Sequence, residues 1–374
     1  MIEEGNLRVD SATQAAQAWN QANPVGTPVV FGVWPHRVLH TRSEASTLFG
    51  KRAVVYMHGY DGYFDLSELR GASIESGEVI GAARSSDIAV MFPGQGAQFV
   101  GMGAELFEAY PELVAAADAV LGFSIERLCL EDPEGVLGQT RFTQPALYVT
   151  GALTWRAACD RGDMAADASV LLGHSLGEYN ALQAAGVFDF ETGLRLVKAR
   201  AEYMAAAGEG AMAAILGATA EQVREILDTE HLAAIDISSI NTPTQSVLAG
   251  LCEDVARAVT VLGTHGLRAI PLKVSGAFHS RHMADARDRF APLLRSTTFA
   301  PPARTVIANA TGRPHVHAEI ADTLAMQLAS PVRWMDGVRC ASNLGAKRFV
   351  EMGGTFLTGM VSEIRSADSE AFHP

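Results

Sequence analysis

Cysteine is scarce in this chain. Its 374 residues include four, Cys129, Cys159, Cys252 and Cys340, all far apart in sequence. They form no CxxC pair and no metal-ligand spacing. A disulfide scaffold and a zinc module are therefore excluded, and a reducing cytoplasm is the expected compartment. No apolar run reaches transmembrane length. Met1–Gly5 has neither the basic nor the apolar region of a signal peptide. Basic charge is in deficit: 29 Lys and Arg against 42 Asp and Glu give a formal net charge of -13. Nucleic acid and anionic membranes are thus not expected as partners. An acidic protein partner would need a locally basic patch, for which Lys198, Arg195, Arg268 and Arg281 are the candidates. There is no internal repeat and no low-complexity block. The loop Pro93-Gly94-Gln95-Gly96 follows a strand, but it lacks the Lys-Ser/Thr of a P-loop and the spacing of a dinucleotide site.

What is present is a globular composition, 48% hydrophobic and 19% charged, with chain enough for about two domains. The organising stretch is Leu171-Leu172-Gly173-His174-Ser175-Leu176-Gly177-Glu178-Tyr179. It reads as a buried strand, a sharp turn and a helix start. Small residues two positions either side of Ser175 allow a strained corner that lifts the serine onto a helix N-terminus, where free N–H groups can hold an oxyanion. Gly-x-Ser-x-Gly also occurs by chance in ordinary turns; the strand-turn-helix context favours the nucleophile. Arg200 lies on a helix predicted over about Phe190–Ala207, with Leu196, Val197, Tyr203 and Met204 at three and four residues. A cation facing the interior needs an anion, from a protein carboxylate or from a ligand. His279 is expected at the end of a strand running from Arg268 to Val274, where α/β folds place their sites.

Residues 1–85 read as a small β-containing extension of unknown role, with strands over Pro28–Trp34 and Ala53–Met57, a turn at His58–Gly62 and a linker from Gly71 to Ser86. The main body opens with a strand at Ile88–Phe92. Residues 210–275 show a β-α-β-β-α-β order, that of a ferredoxin-like unit inserted in a larger α/β body.

Taken in order, Phe92-Pro93-Gly94-Gln95-Gly96-Ala97-Gln98, Thr143-Gln144-Pro145-Ala146, the Ser175 corner, the Arg200 helix and Gly276-Ala277-Phe278-His279-Ser280 resemble the malonyl-CoA:acyl carrier protein transacylases. The wording around Ser175 and His279 is most similar to the free-standing acyltransferases of polyketide synthases. The likeness spans about residues 87–366. It implies an α/β-hydrolase-like subdomain (86–209 and 276–374) with an inserted ferredoxin-like one (210–275). It also implies malonyl transfer from malonyl-CoA to the phosphopantetheine thiol of a carrier protein or carrier domain, with no metal and no other cofactor. By the same resemblance Ser175 is the nucleophile and His279 the base. The N–H groups of Gln95 and Leu176 form the oxyanion hole, and Arg200 holds the malonyl carboxylate. Gln327 orients the histidine, Gln144 and Asn241 match pocket positions, and Phe278 narrows the pocket against an α-methyl branch. The rival readings are a methylmalonyl-type transacylase, an acyl hydrolase that clears stalled carrier proteins, and a non-enzymatic docking protein. Hydrolase relatives lack the arginine.

Overall fold

The computed structural model describes residues 11–31, 34–48, 52–57, 63–66, 69–71 and 86–371. The chain divides into two units, Met1–Ser85 and Ser86–Pro374.

Among its described residues the first unit contains α1 (Ser11–Ala22) and six short strands: β1 (Pro28–Phe31), β2 (Trp34–His40), β3 (Ser46–Leu48), β4 (Arg52–Tyr56), β5 (Tyr63–Asp65) and β6 (Leu69–Gly71). They form two antiparallel sheets, in the orders β2-β1-β6 and β3-β4-β5. A small core of Ala16, Val29, Ala45, Ala53, Val55, Met57 and Leu69 holds them. The single strand expected over Pro28–Trp34 is two: Phe31 already pairs antiparallel with Trp34. The turn at His58–Gly62 and most of the linker lie outside the described residues.

The second unit begins at β7 (Ile88–Phe92), followed by α2 (Ala104–Ala109), α3 (Pro111–Leu121), α4 (Ile125–Leu130), α5 (Thr140–Arg161), β8 (Val170–Gly173), α6 (Gly177–Ala184) and α7 (Phe190–Ala205). Next come β9 (Ala211–Leu216), α8 (Ala220–Thr229), β10 (Asp236–Thr242), β11 (Gln245–Gly250), α9 (Cys252–Thr264) and β12 (Arg268–Pro271). The chain closes with α10 (Ala284–Ser296), β13 (Thr305–Ala308), β14 (Arg313–Pro314), α11 (Ile320–Leu328), α12 (Trp334–Asn343), β15 (Arg348–Glu351) and α13 (Phe356–Ala371). No helix among the described residues is long and apolar enough to cross a membrane.

Five strands form one sheet in the order β14-β13-β8-β7-β15, parallel except for β14. The pleat explains the apolar run of β7. Ile88, Val90 and Phe92 face the main core, while Ala89 and Met91 face a second core with Val170, Leu172 and Ile307. Both faces of the sheet are covered, so alternation of polar and apolar residues is absent. The second sheet is antiparallel, in the order β10-β11-β9-β12. Val223 and Leu227 of α8 and Val255, Ala258 and Leu262 of α9 cover it.

The strand expected to reach Val274 ends at Pro271. Leu272 N still donates to Met212 O at 2.9 Å, but Val274 N then turns back onto Leu272 O at 3.0 Å, and residues 272–280 are not strand. His279 and Phe278 therefore stand in a loop rather than on a strand end. Strand β10 and the turn after it are joined to the larger body at several points. Ser239 bridges Val332, and Thr242 and Thr244 donate their hydroxyls to Glu363 Oε1 at 2.6 and 2.9 Å.

Candidate active site

The corner is built by exclusion of side chains. A Cβ on Gly173 would overlap the backbone of Gly177, one on Gly177 the Phe92 carbonyl, and one on Gly94 the His174 carbonyl. Glycine at these positions lets the β7 loop, the corner and α6 meet. Between them Ser175 adopts φ 52, in the left-handed region. Two hydrogen bonds from Asn309 hold it there: Oδ1 accepts from Ser175 N at 2.6 Å, and Nδ2 donates to Gly173 O at 2.6 Å.

His279, also left-handed at φ 57, faces the serine with Nε2 2.6 Å from Ser175 Oγ. Its Nδ1 is 2.8 Å from the main-chain oxygen of Gln327. A carbonyl can only accept, so Nδ1 carries the hydrogen and Nε2 is free to take the serine proton. Burial pushes the imidazole pKa down to about 3, and the nearby Arg200 charge adds to the shift. The ring is thus a neutral base at pH 7. Among the described residues no carboxylate completes a triad; the Gln327 carbonyl meets the ring instead.

Arg200 is fully buried on α7. Its Nη1 donates to Gln144 Oε1 at 2.7 Å, and Nη2 donates to Gln327 Oε1 at 3.0 Å and to Ser175 Oγ at 3.1 Å. The guanidinium lies 5.6 Å from the Tyr179 ring centroid. Burial lowers its pKa. No ion pair to Arg200 occurs among the described residues, and its Nε has no partner. Of the two anions the sequence left open, the protein carboxylate is not in contact with it. Arg200 is thus a cation desolvated against two neutral amides, 3.1 Å from Ser175 Oγ.

The structure brings Ser175, His279, Arg200, Gln144 and Gln327 into one hydrogen-bonded set. Leu176 N lies at the start of α6 and Gln95 N in the loop after β7; neither has an acceptor among the described residues. Asn241 stands behind this set: its Oδ1 is 3.0 Å from His174 Nε2, and it also bonds the Ser239 hydroxyl. Phe278 is buried in the main core. Of the basic surface candidates, Arg195 pairs with Glu191 and Arg281 with Asp236, and Lys198 Nζ donates to Val120 O. Exposed Arg268 is not engaged in any ion pair among the described residues.

Four site residues were missed by sequence reasoning. Glu178 is fully buried behind the corner, where Oε1 meets His315 Nε2 at 2.7 Å and Oε2 accepts from Asn309 N at 2.9 Å and Gln327 Nε2 at 2.7 Å. His174 packs against Trp334 at 5.6 Å. Glu178 had a signal: a carboxylate directly after Gly177, at a helix start that favours negative charge. Asn309 had the weaker signal of ending a predicted strand. His315 had none.

A serine hydroxyl 2.6 Å from a neutral imidazole, at a strand-to-helix corner and with a buried cation beside it, fits an acyl-transfer site on an α/β scaffold. The sequence matches the Acyl transferase domain over residues 90–355, and the chain belongs to that family. It is 45% identical over 284 residues to the polyketide biosynthesis malonyl CoA-acyl carrier protein transacylase BaeC of Bacillus velezensis, covering 75% of this chain and 97% of that protein. It is 48% identical over 278 residues to the polyketide biosynthesis protein ThaF of Burkholderia thailandensis, covering 74% of this chain and only 24% of that longer protein. A crystal structure of malonyl CoA-acyl carrier protein transacylase from Burkholderia pseudomallei superimposes with a TM-score of 0.72 at 48% identity, covering 75% of this chain and 98% of that one. Residues 1–89 lie outside the matched range.

Proposed function

We propose that this chain transfers a malonyl group from malonyl-CoA to the phosphopantetheine thiol of an acyl carrier protein, and that it supplies extender units to a polyketide synthase. The observation that carries this reading is Arg200, a buried cation with no protein carboxylate, 3.1 Å from Ser175 Oγ. An acetyl group has nothing for it to bind; a malonyl group has a free carboxylate. The same arginine weighs against the hydrolase reading.

In the first half-reaction Ser175 Oγ attacks the thioester carbonyl while its proton passes to His279 Nε2. The oxyanion of the tetrahedral intermediate lies against the N–H groups of Gln95 and Leu176. The C–S bond breaks, the proton goes to the departing coenzyme A sulfur, and a malonyl ester remains on Ser175. In the second, the carrier's thiol gives its proton to His279 as sulfur attacks the ester. Collapse returns the proton to Ser175 Oγ and leaves malonyl on the carrier. Both steps are acyl exchanges, and we assign no metal or redox group to either. Gln144 and Gln327 hold Arg200, and Asn241 fixes His174 beneath the corner. Nucleic acid and membrane have no part in the reaction, and we place the protein in the cytoplasm.

We read the five-stranded sheet and its helices as an α/β-hydrolase-like subdomain (86–209 and 276–374). Residues 210–275 form the inserted ferredoxin-like subdomain, supported by the order β10-β11-β9-β12. Residues 1–85 are a separate extension. The test is intact-protein mass spectrometry after mixing with malonyl-, methylmalonyl- or acetyl-CoA. A malonyl adduct should form on the wild type and be absent from Ser175→Ala. Equal loading of the alanine variant would remove Ser175 from its role.

A further inference from the structure

The site contains two buried charges that do not touch. Arg200 and Glu178 are both fully buried, yet the side chain of Gln327 lies between them. Its Nε2 donates to Glu178 Oε2 at 2.7 Å and to Ser175 O at 2.9 Å, while its Oε1 accepts from Arg200 Nη2 at 3.0 Å. An amide has one accepting end and one donating end, and the two differ only by a flip. Arg200 can only donate, while the Glu178 carboxylate and Ser175 O can only accept, so the three together hold Oε1 toward the cation and Nε2 toward Glu178.

We propose that Glu178 is a positioning residue for acyl-group selection: as the charged acceptor of Gln327 Nε2 it anchors the side chain whose Oε1 aims the Arg200 fork at the substrate's carboxylate. This inference rests on the malonyl-transfer reading. Glu178 is itself held on two further sides. Asn309 N donates to Oε2, and His315 Nε2 meets Oε1 with its own Nδ1 unpartnered, so the shared hydrogen lies on Nε2. The carboxylate therefore cannot turn to pair with Arg200, and the amide keeps the two charges apart. Were they in direct contact, the arginine would be neutralised before substrate arrived. The same residue also presents its main-chain oxygen to His279 Nδ1, so one side chain and one carbonyl of Gln327 serve the cation and the base.

The test compares malonyl-CoA and acetyl-CoA loading by the full chain, with kcat and KM measured for each. Glu178→Gln keeps size but replaces the charged acceptor of Gln327 Nε2 with a neutral amide, which loosens the Gln327 side chain that holds Arg200. The malonyl-to-acetyl ratio of kcat/KM should fall by about ten- to a hundredfold, the factor carried by one hydrogen bond to a charged group, chiefly through KM for malonyl-CoA. Gln327→Met removes the amide and should produce the same fall, and the double variant should be no worse than either single one. An equal loss for both thioesters, or additive effects in the double variant, would overturn the proposal and leave Glu178 a packing residue. If Glu178→Gln does not fold, Gln327→Met decides alone: a wild-type ratio refutes the inference. Failure of the wild type to load malonyl would instead strike the malonyl-transfer reading itself.

Discussion

Arg200→Ala would remove the only lysine or arginine that is buried among the described residues and leave Ser175 and His279 in place. In the wild type a malonyl carboxylate would enter a desolvated site whose only cation is this guanidinium. Without it the carboxylate would be buried unpaired, a loss of about 3–5 kcal/mol, or roughly two hundred- to several thousandfold in kcat/KM. Acetyl-CoA brings no carboxylate. Its loading would lose only the 3.1 Å contact from Nη2 to Ser175 Oγ, and the cavity left by the side chain would admit it more readily. The malonyl-to-acetyl ratio should therefore collapse by at least about a hundredfold. Arg200→Lys should fall between the two, because an ammonium keeps the charge but cannot hold Gln144 and Gln327 in a planar fork. Rapid-quench mass spectrometry of the acyl-serine, with the two thioesters in competition, measures the ratio directly. The arginine charge also helps to depress the His279 pKa, so the alanine variant should lose activity at a higher pH than the wild type as acid is added. An unchanged acyl ratio would return Arg200 to a structural role and refute the reasoning from its missing carboxylate.

Other predictions follow from the same geometry. The folded state keeps His279 neutral down to about pH 3, whereas the unfolded chain protonates it near pH 6.5, so stability should fall as pH drops below about 6.5, by up to about 1.4 kcal/mol per unit. Urea midpoints at pH 5 and pH 7.5 should show this slope and His279→Gln should flatten it; an identical slope in the variant would contradict the assignment. Asn309→Ala leaves Ser175 N and Gly173 O without partners and should cost about 1–3 kcal/mol of stability, seen by denaturant titration, with a lower kcat; a neutral effect would show that the corner holds itself. Phe278→Ser should narrow a malonyl preference over methylmalonyl of roughly ten- to a hundredfold, the factor expected from overpacking one methyl group. Equal loading of both thioesters by the wild type would dismiss Phe278 as a specificity residue.

The serine corner and the apolar strands were legible because they are local. A buried strand announces itself in consecutive residues, and the glycines around Ser175 are needed for contacts made within a few residues or with the adjacent strand. The polar residues behind the corner were not legible, because their partners are distant in sequence. Glu178 and His315 are 137 positions apart, and Ser175 and Asn309 are 134 apart. A lone Glu at a helix start reads as a favourable terminal charge, and nothing in its neighbours reveals that it is buried. The strand expected before His279 failed for a different reason. Val274 prolonged an apolar pattern past Pro271, but its N–H folds back onto Leu272 O at 3.0 Å instead of pairing with a neighbouring strand, a turn that apolar content does not reveal.

Ser175 and His279 both sit in the left-handed region, at φ 52 and φ 57, a conformation that costs a residue with a side chain about 1–3 kcal/mol. Glycine at either position would relieve that strain and, on the proposed mechanism, abolish the chemistry. Random mutagenesis screened only for heat resistance would therefore tend to enrich inert chains, with the reactive pair among the first features to be erased. Ancestral or consensus redesign of this protein needs an activity filter at every round, since thermal robustness and turnover pull these two backbone positions in opposite directions.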